Sequence, residues 1–256
     1  WLPIDIASKP MTLPHFSPVL FCHPVTEQAQ ALAKTLGLTL VEHAPKGLWY
    51  LKLKDDVLSC CQDNNTLCVD FLNASTQHRL KTLNRHDPLL KAFGAGLNGK
   101  ASLLDGTAGL GQDALCLAKQ GVKVTMIECS PYVHALLEYG LQRSKDWLRD
   151  NHFRLTLIHS DTLTFLEQIQ SSQYPDMIYL DPMYPSKQKS ALSKLPMQCL
   201  QAMTEAQDNA ALLEMARKKA KKRVVVKRPS RSQPLMTPDT STHGKSHRFD
   251  IYFSRC

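Results

Sequence analysis

The side chains best placed to do chemistry stand at the ends of two short apolar runs within residues 102–130. The first run ends on Asp105, and a loop of small residues containing Gly109 and Gly111 follows it. An Ala/Leu-rich segment then leads into a second apolar run that ends on Glu128. This order predicts a strand–turn–helix–strand unit, and sheets built from such units bind ligands beyond the carboxyl ends of their strands. Glycines let the backbone pass close under a ligand, and a terminal acid can accept both hydroxyls of a ribose, so the unit predicts a nucleoside-containing cofactor.

Two classes of cofactor fit this unit. The segment Gly109-Leu110-Gly111-Gln112-Asp113-Ala114 satisfies the GxGxxA pattern, which leaves a dinucleotide-dependent oxidoreductase open. The extra acid Asp105 would face a pyrophosphate unfavourably, because both are negative. It suits a cofactor that carries positive charge.

A second motif separates the two classes. Asp181-Pro182-Met183-Tyr184-Pro185 follows the apolar run 177–180. An acid–Pro–x–aromatic turn after a fourth strand resembles the (D/N)PP(Y/F) signature of S-adenosylmethionine-dependent amino-group methyltransferases. A hydride-transfer enzyme has no need of a turn that holds an amine. The motif therefore favours a methyltransferase, with the oxidoreductase as the alternative.

Composition limits the remaining possibilities. The 256 residues are 43% hydrophobic and 21% charged, which is ordinary for a globular protein with one substantial core and a small extra domain. No apolar run approaches the roughly 20 residues of a membrane span. The start of the sequence lacks a signal-peptide pattern, and eight cysteines are scattered without CxxC pairs. We expect a cytoplasmic protein with reduced thiols, no bound metal and no membrane partner.

The basic charge is concentrated in the C-terminal part. The formal net charge is +8, and residues 181–256 hold 15 Lys and Arg against 6 Asp and Glu. The excess begins at the Asp181 turn. Positive charge near a proposed active site predicts a polyanionic substrate, most simply nucleic acid.

The order of helical and strand patterns predicts three segments. Residues 1–74 read as a small mixed α/β domain, residues 75–99 as a helical linker, and residues 100–256 as the cofactor-binding domain. In the third segment strands alternate with helices, which predicts a doubly wound parallel sheet. The last strand, at 248–253, arrives without a preceding helix and is expected to be an antiparallel edge strand.

Taken together, the motifs resemble the small-subunit ribosomal RNA methyltransferase J family. The resemblance rests on the segments DGTAGLGQDA, IECSP, DPMYPSKQKSAL, RVVVKRP and HGKSHRFDIY, and it covers about residues 100–256. It implies a Rossmann-like class I methyltransferase that places a methyl group on the N2 amino group of a guanosine in that RNA. The implied partners are S-adenosylmethionine as the cofactor and the small-subunit ribosomal RNA, or the ribosomal subunit itself, as the substrate.

The resemblance also implies which residues contact the cofactor: Gln112 and Asp113, Glu128 and Cys129, Asp161 and Thr162, and Asp181. The residues themselves allow similar roles, with Glu128 on the ribose and Asp161 on the adenine amino group. A guanine amino group is a poor nucleophile because its lone pair is delocalised into the ring. Asp181 and the Pro182 carbonyl could accept its two hydrogens, and Tyr184 could stack on the base.

Overall fold

The computed structural model describes residues 15–97, 99–183, 195–204 and 208–255. Within them the chain forms two compact units. The first falls within residues 1–71, 130–144 and 184–205, and the second within residues 72–129, 145–183 and 206–256. The first unit therefore takes pieces from three places in the chain, whereas the sequence predicted a continuous domain ending at residue 74. Residues 75–97, predicted as a linker, lie in the second unit.

The regular elements of the described residues are numbered in chain order. The strands are β1 (Phe16–Phe21), β2 (Thr39–Val41), β3 (Trp49–Lys54), β4 (Val57–Gln62), β5 (Asn65–Cys68), β6 (Ser102–Asp105), β7 (Lys123–Glu128), β8 (Arg154–His159), β9 (Met177–Leu180), β10 (Arg223–Pro229), β11 (Thr240–His243) and β12 (His247–Phe253). The helices are α1 (Glu27–Leu36), α2 (Ala74–Thr82), α3 (Pro88–Phe93), α4 (Gln112–Ala118), α5 (Pro131–Arg143), α6 (Lys145–Asp150), α7 (Thr162–Gln168), α8 (Leu195–Met203) and α9 (Asn209–Lys219).

The second unit is built on a seven-stranded sheet in the order β11-β12-β10-β9-β6-β7-β8. The pairs among β8, β7, β6, β9 and β10 are all parallel. Strand β12 runs antiparallel to β10, as the sequence predicted. It is not the edge strand, because β11 pairs with its far side. The prediction missed β11 because its four residues, Thr-Ser-Thr-His, lie in a Ser/Pro/Thr-rich stretch that is typical of a loop.

Alternate residues along the strands of this sheet form a hydrophobic core on one face. Leu104, Ile178, Val224 and Tyr252 point to this face and pack with apolar residues of α7 and α9. Within one strand the core residues are two apart, as Ile178 and Leu180 are on β9, because side chains alternate between the faces of a strand. The neighbouring residue Tyr179 belongs to the other face.

On that other face, α3 covers the sheet. The Phe93 and Tyr179 rings lie 6.1 Å apart, and Arg223 donates to the carbonyl oxygen of Ala92 at 3.2 Å. Thr242 of β11 donates to the carbonyl oxygen of Pro88 at 2.9 Å. These contacts explain why the segment predicted as a linker is part of the second unit.

The first unit has a five-stranded sheet in the order β2-β1-β3-β4-β5. Strand β1 pairs in parallel with β2 and β3, whereas β4 pairs antiparallel with β3 and β5. The sequence predicts a helix with Thr26 as its N-cap and Gly37 just past its end, and α1 has both caps, with Gly37 at a left-handed φ of 63°. The apolar spacing of residues 132–148, preceded by the cap Ser130 and by Pro131, predicts one helix. Helix α5 does begin after the N-cap Ser130 with Pro131 in its first turn, but it ends at Arg143, and a second helix, α6, follows.

Candidate active site

The candidate site lies where the direction of chain winding changes in the seven-stranded sheet. Strand β6 has β7 on one side and β9 on the other, so the carboxyl ends of β6 and β9 flank a crevice of the kind that binds ligands in doubly wound sheets. Asp105 ends β6, and Asp181 follows β9 directly. The loop after β6 joins the two strand ends, because the Gly106 amide donates to Tyr179 O at 2.9 Å and the Asp181 amide donates to Thr107 Oγ1 at 2.6 Å.

The glycine turn between β6 and α4 is fixed by Glu128. Gly109 and Gly111 have φ values of 52° and 75°, which a residue with a Cβ adopts only at a cost. The Gly109 amide donates to Glu128 Oε2 at 2.9 Å, and Glu128 is 6% exposed. Glu128 Oε1 lies 3.9 Å from Cys129 Sγ. The acid predicted to hold a ribose therefore also holds the turn in place.

Gly106 and Thr162 form the floor of the turn. A Cβ on Gly106 would lie 2.7 Å from Thr162 Cγ2 and 2.9 Å from Leu180 Cδ2, so any larger residue would require these side chains to shift. The buried Thr162 hydroxyl donates to the carbonyl oxygen of Gly106. The Thr162 hydroxyl is therefore bonded within the turn. Gly106 was not among the site residues that the sequence predicted.

A lysine links the glycine turn to the Asp181 turn. Lys227, on β10, donates from Nζ to Asp181 Oδ2 at 2.8 Å and to Asp113 Oδ2 at 2.9 Å. The same Asp113 oxygen accepts a hydrogen bond of 2.6 Å from the hydroxyl of Tyr179. Sequence reasoning missed both Lys227 and Tyr179. The position of Lys227 near the end of a fifth parallel strand was the available signal, since such strand ends meet at one edge.

The two aspartates respond differently to this lysine. Burial would raise the pKa of Asp113, but the Lys227 ammonium and the Tyr179 hydroxyl outweigh it and hold that pKa below its ordinary value. The pKa of Asp181 is raised, because burial and the nearby Asp113 carboxylate outweigh the opposing effects of Lys227 and His247. The pKa of Lys227 is raised by its two carboxylate partners despite its burial.

Asp105 lies beneath this network and is 1% exposed. Its Oδ1 accepts from the Thr107 amide at 3.1 Å. Burial raises the pKa of Asp105 to about 8, and the carboxylates of Asp113, Asp181 and Glu128 add to the rise. Asp105 is therefore mainly protonated at neutral pH and would ionise if a cation were placed near it.

The structure brings most of the predicted site residues to this one edge. Asp161 caps α7, accepting from the Thr164 amide at 2.8 Å through Oδ2. Gln112 begins α4, and its Oε1 accepts from Thr76 at 3.4 Å. The carbonyl oxygen of Cys129 lies 3.1 Å from His159 Nε2. Pro182 is buried beside Asp181, and Tyr184 lies outside the described residues.

Part of the basic excess lies at the opposite edge of the sheet. Strand β10 begins at Arg223, four residues or about 13 Å before Lys227. Lys222 precedes it and pairs with Asp176 at 2.9 Å, at the start of β9. The positive groups that act on Asp181 are Lys227, bonded to it at 2.8 Å, and His247 at the start of β12.

The arrangement suits a cationic cofactor that contains a nucleoside. A glycine turn with positive φ angles allows close approach of the backbone. The buried acid Glu128 ends β7, and Asp105 can supply a negative charge to a sulfonium. Across the described ranges, no group of three or more His, Cys, Asp or Glu could hold a metal ion. In the same part of the chain, no helix is long and apolar enough to cross a membrane.

Comparison with known proteins assigns the class. A family described as "Putative SAM-dependent methyltransferase" matches residues 31–254. The crystal structure of a SAM-dependent methyltransferase from Neisseria gonorrhoeae is similar to this one, with a TM-score of 0.70 and 31% sequence identity over 93% of this chain and 96% of that chain. The fold and these matches define a class I methyltransferase whose cofactor is S-adenosylmethionine.

The relatives identify the family within that class. Two proteins named Ribosomal RNA small subunit methyltransferase J, from Serratia proteamaculans and Erwinia tasmaniensis, are each 45% identical to this chain over 194 residues. These matches cover 72% of this chain and 76% of each relative. The chain belongs to this methyltransferase J family, as the motifs predicted. The oxidoreductase alternative is therefore dropped.

We predict that Glu128→Ala weakens S-adenosylmethionine binding by about 1–3 kcal/mol, the usual effect of leaving buried polar groups without a partner. Isothermal titration calorimetry measures this directly. Glu128→Gln keeps an oxygen for the Gly109 amide but loses the charge, so it separates the turn from the cofactor contact. Glu138→Ala, at an exposed position of α5, is the control. Unchanged affinity in Glu128→Ala would remove the ribose assignment.

Proposed function

We propose that this enzyme transfers a methyl group from S-adenosylmethionine to the N2 amino group of a guanosine in small-subunit (16S) ribosomal RNA, in the cytoplasm. The observation that carries the proposal is the position of Asp181. Asp181 directly follows β9, and its amide is bonded to Thr107 in the loop that leads to the glycine turn. The chain's relatives are named for methylation of that RNA.

The proposed roles follow from the chemistry of an aromatic amine. S-adenosylmethionine supplies an electrophilic methyl group on a sulfonium. The amine needs its lone pair turned toward that group, because conjugation with the ring makes it a poor nucleophile. We assign Asp181 and the Pro182 carbonyl to accept its two hydrogens, and Tyr184 to stack on the base. Holding the reactants in line lowers the activation barrier by several kcal/mol on general grounds.

We assign the remaining site residues either to contacts with the cofactor or to the glycine turn beside it. We assign Glu128 to the ribose hydroxyls, Asp161 to the adenine amino group and Asp105 to the positive charge. Gly109 and Gly111 allow close backbone approach, and residues near them complete the cofactor contacts: Gln112, Asp113, Cys129, Thr162 and Asp181. Thr162 contributes through its backbone in this proposal, because its hydroxyl is bonded to Gly106 O.

The test is the identity of the product. Small-subunit RNA and assembled small subunits, both lacking the modification, are each incubated with the enzyme and isotopically labelled S-adenosylmethionine. The RNA is digested to nucleosides and compared by liquid chromatography and mass spectrometry with methylguanosine, methyladenosine and methylcytidine standards. We expect label in N2-methylguanosine alone. Label in N1-methylguanosine, N6-methyladenosine or N4-methylcytidine would overturn the assigned target.

A further inference from the structure

A partly buried lysine bridges two aspartates at the carboxyl edge of the sheet. Lys227 Nζ lies 2.8 Å from Asp181 Oδ2 and 2.9 Å from Asp113 Oδ2, and its side chain is only 20% exposed. One aspartate belongs to the first turn of α4 and the other to the turn proposed to hold the amine. The ammonium thus joins the cofactor side of the crevice to the substrate side.

We propose that Lys227 is a positioning residue for methyl transfer, which fixes the Asp181 carboxylate by binding Oδ2 so that Oδ1 is the oxygen presented to the target amine. The proposal rests on the proposed function of Asp181. Two further contacts hold the backbone of Asp181 and the second partner of the lysine. The Asp181 amide is bonded to Thr107, and the Asp113 oxygen that shares the ammonium is also bonded to Tyr179.

The groups around Asp181 also affect whether its carboxyl is ionised. An amine hydrogen needs an acceptor, so only the ionised carboxylate can hold the amine through either oxygen. A nearby carboxylate and burial both favour the protonated form, and the ammonium opposes them. The charged or titratable groups that face this pair come from five further elements: Asp113 on α4, Tyr179 on β9, Asp105 on β6, His247 on β12 and, through Asp113, Arg79 on α2.

The two partners of Lys227 give a test with opposite signs. Lys227→Met removes the positive charge, so Asp181 becomes harder to ionise. We expect the acidic limb of the kcat–pH profile to move up by about one pH unit or more, the usual effect of an opposite charge at this distance. Asp113→Asn leaves the lysine to Asp181 alone, so we expect the same limb to move down. Turnover is measured at saturating cofactor and RNA, because Asp113 is also assigned to the cofactor side.

The size of the loss follows from the shift. At a pH below the limb, Lys227→Met should lose up to about tenfold in kcat for each unit by which the limb moves, down to the residual rate of a neutral side chain such as that in Asp181→Asn. Part of the loss should be recovered as the pH rises. Lys227→Arg keeps a cation, and we expect it to retain the limb near its original position while losing kcat through displaced geometry. Lys222→Met is the matched control, because it removes a lysine–aspartate pair of similar length from the other edge of the sheet. Its kcat and profile should be unchanged.

Thermal shift measurements identify variants that fail to fold. If Lys227→Met does not fold, Lys227→Arg and Asp113→Asn still decide the matter. The proposal is overturned if Asp113→Asn leaves the acidic limb in place, or if Lys227→Met lowers kcat equally at all pH values. Product analysis of the wild-type enzyme separates the two proposals. A product other than N2-methylguanosine contradicts the target assignment. If the product is N2-methylguanosine but the acidic limb does not move, only the role of Lys227 is contradicted.

Discussion

Asp181→Ala is expected to abolish methyl transfer, with a loss of at least about a hundredfold in kcat, because positioning of the reactants supplies much of the rate in such a reaction. RNA affinity should stay nearly intact, since the side chain touches one amino group of a large ligand. The measurement is single-turnover methylation at saturating cofactor, because Asp181 is also assigned a cofactor contact. RNA binding is measured separately by filter retention or fluorescence anisotropy.

Asp181→Asn separates two roles for this carboxylate. An amide oxygen still accepts one hydrogen bond but cannot take a proton at neutral pH. If Asp181 acts by holding the amine, the Asn variant keeps part of the activity, in line with the (D/N) choice in the amino-group methyltransferase signature. If Asp181 removes the proton outright, the Asn variant is as inactive as the Ala variant. Wild-type turnover by Asp181→Ala would place the active site elsewhere.

Asp146→Asn is a suitable control for these substitutions. Asp146 lies on α6, its side chain is 81% exposed, and its ion pair with Arg149 is a surface contact between neighbouring turns. Such pairs contribute little to stability. The control should match the wild type in turnover, cofactor affinity and RNA affinity.

The sequence predicted the sheet and its functional edge because each depends on local patterns. Apolar runs ending on Asp105, Glu128 and Asp181 mark the strand ends, and positive-φ glycines mark the turn. The carboxyl ends of parallel strands meet at one edge, so their placement follows from the topology. The antiparallel direction of β12 was likewise predictable, because no helix precedes it to carry the chain back across the sheet.

What the sequence did not predict depends on contacts between distant residues. Lys227 and Asp113 are bonded across 114 positions, and nothing in the local pattern RVVVKRP indicates that partner. Gly106 resembles any loop glycine until Thr162 and Leu180 are placed against it. The break between α5 and α6 at Ser144 was missed because the apolar spacing continues through it. Strand β11 is formed by pairing with β12, since its own residues carry little apolar signal.

Asp105 should make the stability of the enzyme fall as the pH rises from about 4 to about 8. The pKa of the buried carboxyl is about 8, whereas its ordinary value of 3.8 applies to the unfolded chain. Between these values the unfolded chain has released a proton that the folded protein keeps. The free energy of unfolding then falls by up to about 1.4 kcal/mol per pH unit, or about 4 kcal/mol between pH 5 and pH 8. Above the folded pKa no further loss from this group is expected.

Urea denaturation of the wild type and of Asp105→Asn at several pH values tests this. Other groups titrate in the same range, so the informative quantity is the difference between the two proteins. We expect the Asn variant to gain stability relative to the wild type as the pH rises to about 8, and the difference then to level off. A difference that is constant from pH 5 to pH 8 would mean that Asp105 is ionised in the folded protein.

Asp105 should also make cofactor binding depend on pH, and this dependence should differ between a cofactor with a cationic sulfur and one with a neutral sulfur. A sulfonium favours the ionised form of Asp105, so the affinity for S-adenosylmethionine should rise by up to about tenfold per pH unit as the pH approaches 8. S-adenosylhomocysteine has a neutral sulfur, and its affinity should lack this rise. The ratio of the two affinities, measured by calorimetry at pH 6, 7 and 8, should increase in the wild type and stay level in Asp105→Asn. If the ratio of the two affinities is constant with pH in the wild type, the cofactor's charge does not act on Asp105. This conclusion holds even if Asp105→Asn shows the expected gain in stability.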